Sequence, residues 1–473
     1  MKWFNIFLVG LLAISCGSSK KTQSTVSTIP EKPEHYETVP ISTFSVPIAL
    51  NIKPLLAVVE KENDPNFTSD KWPNFDEDDC FRYKYRFTRS PFKVSAQNNH
   101  IKVEFQGRYQ IAGSKALCVL GKKVGPWVTG SCGFDGEALR RVNLEIASDI
   151  RILPSHHVYS KTYLSKINPI DKCEITVMQT DITSVIMDSI KSSINGYAQT
   201  IDQLVSDINQ SPYFEKWRKK KIHALGIDNY GFLVIQPQHY NLSPFQIRND
   251  SLLLSVGFTG RNYFFSDTLH YPSSYQLPML TNYDEPAGID AYLDIQYAYD
   301  SLVKILKDSI GNKPYTLDGK TFVVNDIQLK SNNNNIDIRI DFSGYKNGSI
   351  QITGKPELDT AQQVLKLSKM KANLSSKDIL LKIAGRWIEK TIVKEVSGMA
   401  MIDIKKLMAE EKESIEKTMY QELMPGIFST GSIESIKVVG LICREKDLRL
   451  QVKLKGDIKI KGTLTPALLS WKP

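Results

Sequence analysis

Ile336–Gly344 reads IDIRIDFSG, with apolar residues at 336, 338, 340 and 342, polar or charged residues between them, and a closing glycine. Strict alternation over this length buries one face and wets the other, so it is a half-buried β-strand. The same stencil stands at Leu448–Gly456 (LRLQVKLKG), at Leu252–Gly260 (LLLSVGFTG) and, shortened, at Ile101–Gly107 (IKVEFQG). Counting back from each glycine, the second, fourth and sixth residues are apolar in every copy. Turn formers precede each one: Asn98-Asn99, Asn249-Asp250, Asn332 to Asn335, and Lys446-Asp447.

A second signal is independent of that stencil. Phe44, Val46, Ile48, Leu50 and Ile52 alternate, and Leu55, Leu56, Val58 and Val59 follow at helical spacing. At one constant offset, Ala291, Leu293, Ile295, Tyr297 and Tyr299 alternate, and Leu302, Val303, Ile305 and Leu306 follow. Matching parts in matching order predict duplication of one unit. A 473-residue chain also exceeds what one hydrophobic core usually holds. The expected division is a signal segment (1–15), a lipidated cysteine and tether (16–40), a first unit (41–280) and a second unit (281–473).

The chain's start carries an address. Lys2 precedes an apolar run from Trp3 to Ile14, too short to span a bilayer, ending in Ala13-Ile14-Ser15-Cys16. This resembles a bacterial lipoprotein signal, with Cys16 the lipidated residue. Residues 17–40 are rich in Ser, Thr, Lys, Glu and Pro and read as a flexible tether. Gly17 to Lys21 contains no acid, which favours the periplasmic face of the outer membrane over the cell surface.

With Cys16 assigned to lipid, Cys80, Cys118, Cys132, Cys173 and Cys443 remain. Cys118 and Cys132 flank a Gly/Pro-rich turn and fit a disulfide across a hairpin; Cys132 with Cys173 is the alternative. No spacing is a CxxC, so no zinc site is expected. Between Cys80 and Met178 alternating stretches dominate and predict an antiparallel meander. Asp181 to Asn209 then changes period: Ile182, Val185, Ile186, Ile190, Ile194, Tyr197, Ile201, Leu204, Val205 and Ile208 form a helical stripe, with Asp181 or Thr183 as N-cap. In the second half a helix is expected from near Ser376, carrying Leu380, Ala384, Trp387 and Ile388 on one side.

Catalytic constellations are scarce. There is no GxSxG, HExxH, Walker loop or GxGxxG opening a helix. The acidic run Asp76–Asp79 lacks the alternation of a calcium loop, and adjacent His156 and His157, if they lie on a strand, point to opposite faces and do not chelate one metal together. A net charge of +9 is mild for this length, and the one basic run, Arg218–Lys221, lacks interleaved aromatics, so nucleic acid is not an expected partner. No enzyme and no cofactor are expected.

Pro91-Phe92-Lys93-Val94 with Asn98-Asn99, then Cys132-Gly133 with Gly136-Glu137, then Cys173-Glu174-Ile175 leading to Asp181-Ile182-Thr183, resemble the family known as domain of unknown function 4403, lipoproteins of Bacteroidota and relatives. That family is similar, at fold level, to the tubular lipid-binding (BPI-like) proteins. The resemblance implies an α+β fold of two tandem, duplicated units, each a long twisted antiparallel β-sheet wrapped around a long α-helix. It also implies a lipid or other apolar molecule bound between sheet and helix. Ile186, Ile190, Ile194, Tyr197, Ile201, Leu380, Ala384, Trp387 and Ile388 are then the candidate groove lining. The alternative is a tethered, non-catalytic structural or protein-interaction module of the envelope with closed cores.

Overall fold

The computed structural model describes residues 39–175, 180–208, 223–227, 231–266, 278–281, 286–317, 319–332, 334–375 and 401–469. The expected signal segment, Cys16, most of the tether, the Arg218–Lys221 run, and Leu380, Ala384, Trp387 and Ile388 lie outside the described residues.

The described chain opens with β1 (Ser42–Asn51) and the short helix α1 (Lys53–Glu62), started by a proline in its first turn. A meander follows: β2 (Asn66–Thr68), β3 (Asp76–Glu77), β4 (Phe81–Arg89), β5 (Lys93–Gln97), β6 (His100–Val119), β7 (Lys122–Cys132), β8 (Arg140–Ile152) and β9 (Val158–Pro169). The 20-residue β6 is its spine, pairing with β4 and β5 on one edge and with β7 and β8 on the other. A small ladder of β10 (Glu174–Ile175) and β11 (Thr180–Asp181) leads into the 26-residue α2 (Thr183–Ile208). Strands β12 (His223–Ile227), β13 (Gly231–Leu242), β14 (Gln246–Arg248), β15 (Ser251–Phe265), β16 (Met279–Thr281) and β17 (Gly288–Ala298) return the chain to its first strand.

After α3 (Tyr299–Ile310), strands β18 (Pro314–Leu317), β19 (Lys320–Asn332), β20 (Asn335–Gly344), β21 (Gly348–Asp359), β22 (Val364–Ser375) and β23 (Met401–Asp403) make a six-stranded antiparallel sheet. Then come α4 (Ile404–Met419), β24 (Gln421–Met424), β25 (Ile427–Cys443), β26 (Asp447–Thr463) and α5 (Pro466–Leu469). Strands β24 to β26 join the strands β1–β9 and β12–β17 in one hydrogen-bonded network of 18 strands.

All four stencils are strands, lying in β6, β15, β20 and β26. The turns before them follow from asparagine's tolerance of left-handed backbone: Asn98, Asn99, Asn249, Asp250 and Asn334 all have positive φ. The closing glycines have a steric cause. A Cβ at Gly260 would sit 2.3 Å from the Gln236 carbonyl oxygen, and one at Gly456 2.5 Å from that of Ser432. Each of these glycines lies beside a register shift in the neighbouring strand, β13 at Pro237/His239 and β25 at Ile433/Ser435.

At the centre the register has an exchange symmetry. Strand β1 pairs with β15 as Ser42↔Gly260, and β17 pairs with β26 as Ile289↔Gly456. Strands β1 and β17 meet antiparallel about Thr43↔Asp290, while β15 runs parallel to β17 and β1 parallel to β26. Ser42 holds this junction: its hydroxyl accepts from the Tyr292 N–H (2.8 Å) and from the Asn262 side-chain amide (2.9 Å).

The wider architecture corrects the expected one. The chain does not form an α+β pair of units in which a long sheet wraps a long helix; it is mostly strand, in large antiparallel sheets. Helix α2 lies against β9, and α4 against β25. The cause is legible in α2 itself. Ile186, Met187 and Ala198 are buried and Ile190 and Ile194 pack on the same core, whereas Val185, Tyr197, Ile201 and Leu204 are exposed. The apolar stripe is thus wider than the arc of helix the sheet contacts, and one side of it faces water. Around the centre, Leu233, Phe264, Ile295, Tyr297, Leu302, Ile404, Met408 and Val438 form the largest core.

The expected Cys118–Cys132 bridge is also corrected, and its alternative is the one formed. Cys118 pairs with Cys80, not with Cys132, and Cys132 pairs with Cys173. Across the hairpin, Cys118 stands opposite Lys123 and Cys132 opposite Ile111, so β6–β7 register keeps Cys118 and Cys132 apart. Cys443 is free and half-buried, and burial pushes its thiol pKa up, which disfavours the reactive thiolate.

Candidate functional site

Where α2 leaves the sheet, its start is tied down by short contacts. Asp181 accepts from the Thr183 N–H (2.9 Å), the Thr183 hydroxyl accepts from the Cys173 N–H (2.8 Å), and the Ile182 N–H donates to the Cys173 carbonyl (2.9 Å). Both expected N-cap residues therefore act, Asp181 as the cap acceptor and Thr183 as a clamp on Cys173. Beneath them the Cys132–Cys173 bridge lies in a core of Tyr109, Val142, Leu144, Ile186 and Met187.

Between the end of β9 and this helix start is an open cleft of about 620 Å³, lined by Pro169, Ile170, Lys172, Ser184 and Met187 among others. Its volume is in the range of small-molecule sites. Apolar side chains make one part of the wall and ion pairs make its rim. Arg141 grips Asp171 through Nε and Nη2 at 2.8 and 3.0 Å, and Lys172 faces Asp181 at 3.8 Å. Behind the cleft Tyr109 is buried, its hydroxyl lacks a hydrogen-bond partner among the described residues, and burial raises its pKa against the opposing charge of Arg140.

The Arg141 guanidinium holds the Asp171 carboxyl down at about 2, against an ordinary 3.8. The folded pKa is depressed, so this pair stabilises the fold fully above pH 3.8 and loses its effect as pH falls through about 2. Arg141→Gln should therefore lower the thermal midpoint at pH 7, and the gap from the wild type should close as pH is taken from about 4 to about 2. A gap that stays constant across that range would remove the pair from the stability of the cleft.

Of the expected lining residues, Ile186, Ile190 and Ile194 pack into the core around the Cys132–Cys173 bridge. Tyr197, 71% exposed, and Ile201 lie on the open side of α2. The cleft's own residues, Ile170, Lys172, Ser184 and Met187, were not singled out in the sequence. Met187 stands next to Ile186, one step off the stripe. A metal centre is not formed among the described residues, where no group of three His, Cys, Asp or Glu side chains converges. A second cleft, of about 340 Å³, crosses β1, β15 and β26 near Pro47, Leu254 and Lys459.

A family model described as domain of unknown function (DUF4403) matches residues 40–461, which is most of the chain. No curated protein matches it.

Proposed function

The chain belongs to the DUF4403 family, and we propose that it is a non-catalytic envelope lipoprotein that binds a lipid or other apolar molecule in the cleft between β9 and α2. The observation that carries this reading is the cleft itself. Ile170, Pro169 and Met187 offer an apolar wall, and Lys172 with its neighbouring ion pairs offers a polar rim, which suits a molecule with one apolar and one polar end. The lipobox-like run ending at Cys16 supports an anchor in the outer membrane, with the folded part facing the periplasm.

Ser184 is exposed and lines the cleft, so Ser184→Trp fills it without entering the core. The wild type should bind a fluorescent fatty acid, and the variant should bind it at least about tenfold more weakly with an unchanged thermal midpoint. Equal binding by both, or none by the wild type, would sink the reading. A second reading, a protein-interaction module with closed cores, is favoured by one fact: Ile186, Ile190 and Ile194 are packed shut. Lipid recovered by mass spectrometry from the folded, unlipidated protein would decide against it.

A further inference from the structure

Strand β6 changes partners at Tyr109. Strand β7 ends with Cys132 opposite Ile111, and β8 begins with Arg140 directly opposite Tyr109. Directly opposed residues of an antiparallel pair share a face, with side chains close enough to touch. Two polar atoms here are buried and have no hydrogen-bond partner among the described residues, the Tyr109 hydroxyl and Arg140 Nε. Tyr109 is only 3% exposed. Leaving a buried donor unpaired costs free energy, so the spot calls for an acceptor.

The rest of Arg140 is already committed. Its Nη2 donates to Glu137 Oε2 at 2.6 Å, and the same oxygen accepts from the Gly133 N–H at 2.9 Å. These contacts fix the guanidinium fork and leave Nε as a second donor beside the phenol.

The two donors adjoin the cleft at the start of α2. Besides burial, the charges that act on the Tyr109 hydroxyl are those of Arg140, then Asp171 and Asp181. Asp171 and Asp181 line the cleft, and Ile170 and Asp171 both donate their N–H groups to the carbonyl of Arg141, next to Arg140. Met187 is shared by the cleft wall and by the core that holds Tyr109. Its unbranched thioether turns aside more readily than a branched side chain, which opens a way from the cleft to the hydroxyl.

Charge decides which acceptor fits. The cleft lining holds two carboxylates, Asp171 and Asp181, against one ammonium, Lys172. Arg141 balances Asp171, Lys172 balances Asp181, and Glu137 balances Arg140. Among these residues no cation is left over for an anionic head, whereas two donors are left over for a neutral oxygen.

We propose that Tyr109 binds the ligand: its hydroxyl and Arg140 Nε donate to an uncharged carbonyl oxygen, so the molecule held in the cleft is an acyl ester rather than a free fatty acid. This rests on the cleft reading above and names the chemistry of its ligand.

The test compares a fluorescent fatty acid with its methyl ester on the full, unlipidated chain. The wild type should bind the ester at least about threefold more tightly than the acid. Tyr109→Phe should weaken ester binding at least about tenfold and remove the ester's advantage, while the thermal midpoint stays equal or rises because an unpaired buried hydroxyl is gone. A buried water that completes both donors predicts the opposite, unchanged binding and a lower midpoint, and either result would overturn the proposal. So would a wild type that prefers the acid. Ser184→Trp separates the contact from the cleft: if it loses the ester while Tyr109→Phe binds as the wild type does, the cleft stands and the Tyr109 contact falls. If the wild type binds neither probe, both fall.

Discussion

Asp294→Ala is expected to lower the stability of the protein by about 3–5 kcal/mol, the cost of breaking a buried ion pair from one side. Asp294 has no exposed surface, and its carboxylate accepts from the Arg449 guanidinium and from the Gln296 side-chain amide (2.9 Å). Arg449 is itself buried on β26, one step diagonal from Asp294 across the β17–β26 ladder. Removing the carboxylate takes the ion-pair acceptor from a buried guanidinium in the part of the sheet where both halves of the chain meet. Removing both charges should be far milder. Under the exchange that relates β1 and β15 to β17 and β26, Asp294 corresponds to Pro47 and Arg449 to Leu253. The fold therefore already holds an apolar answer at the equivalent place, and Asp294→Leu with Arg449→Leu should recover most of the loss. Urea unfolding of the two single variants and the double variant measures this directly. A loss below about 1 kcal/mol for Asp294→Ala would show that water reaches the pair.

That ion pair also marks how far the sequence could be read. Ala291, Leu293, Ile295 and Tyr297 alternate, so Asp294 and Gln296 read as the wet face of β17. Alternation reports which residues share a face; it does not report whether a second face is covered. Strand β17 is flanked by β1, β15 and β26, and Asp294 is buried in the middle of the network while Gln296 is half-buried. The four stencils were legible because their Asn-rich turns and terminal glycines have local causes. The same holds for the Asp181–Thr183 cap. The wrapped helix fails for the opposite reason: Val185, Tyr197, Ile201 and Leu204 are apolar yet exposed, and an apolar stripe does not state how much of its width a sheet will contact. The cleft was invisible because Ile170, Lys172 and Met187 become neighbours only through the Cys132–Cys173 bridge and the short ladder that follows it.

The bridge beneath the cleft carries the other large effect. Cys132→Ala with Cys173→Ala should cost about 4 kcal/mol, since the bridge closes a span of 41 residues that the unfolded chain would otherwise explore freely. Both sulfurs are wholly buried in the core that receives Ile186 and Met187, so the loss also loosens the start of α2. Cys173 accepts from the Ile182 N–H and donates to the Thr183 hydroxyl, which couples the bridge to the helix cap and to the wall of the cleft. The Cys80–Cys118 bridge spans a similar 38 residues but lies at the hairpin and outside the buried cores. The two are therefore separable on the folded protein. A mild reductant should open Cys80–Cys118 first and leave the thermal transition cooperative, while Cys132–Cys173 should resist until the protein unfolds. Thiol labelling followed through the transition reports the order. If Cys132 and Cys173 label first, or if their removal leaves the transition within about 1 kcal/mol of the wild type, the bridge does not hold the helix start that forms the cleft.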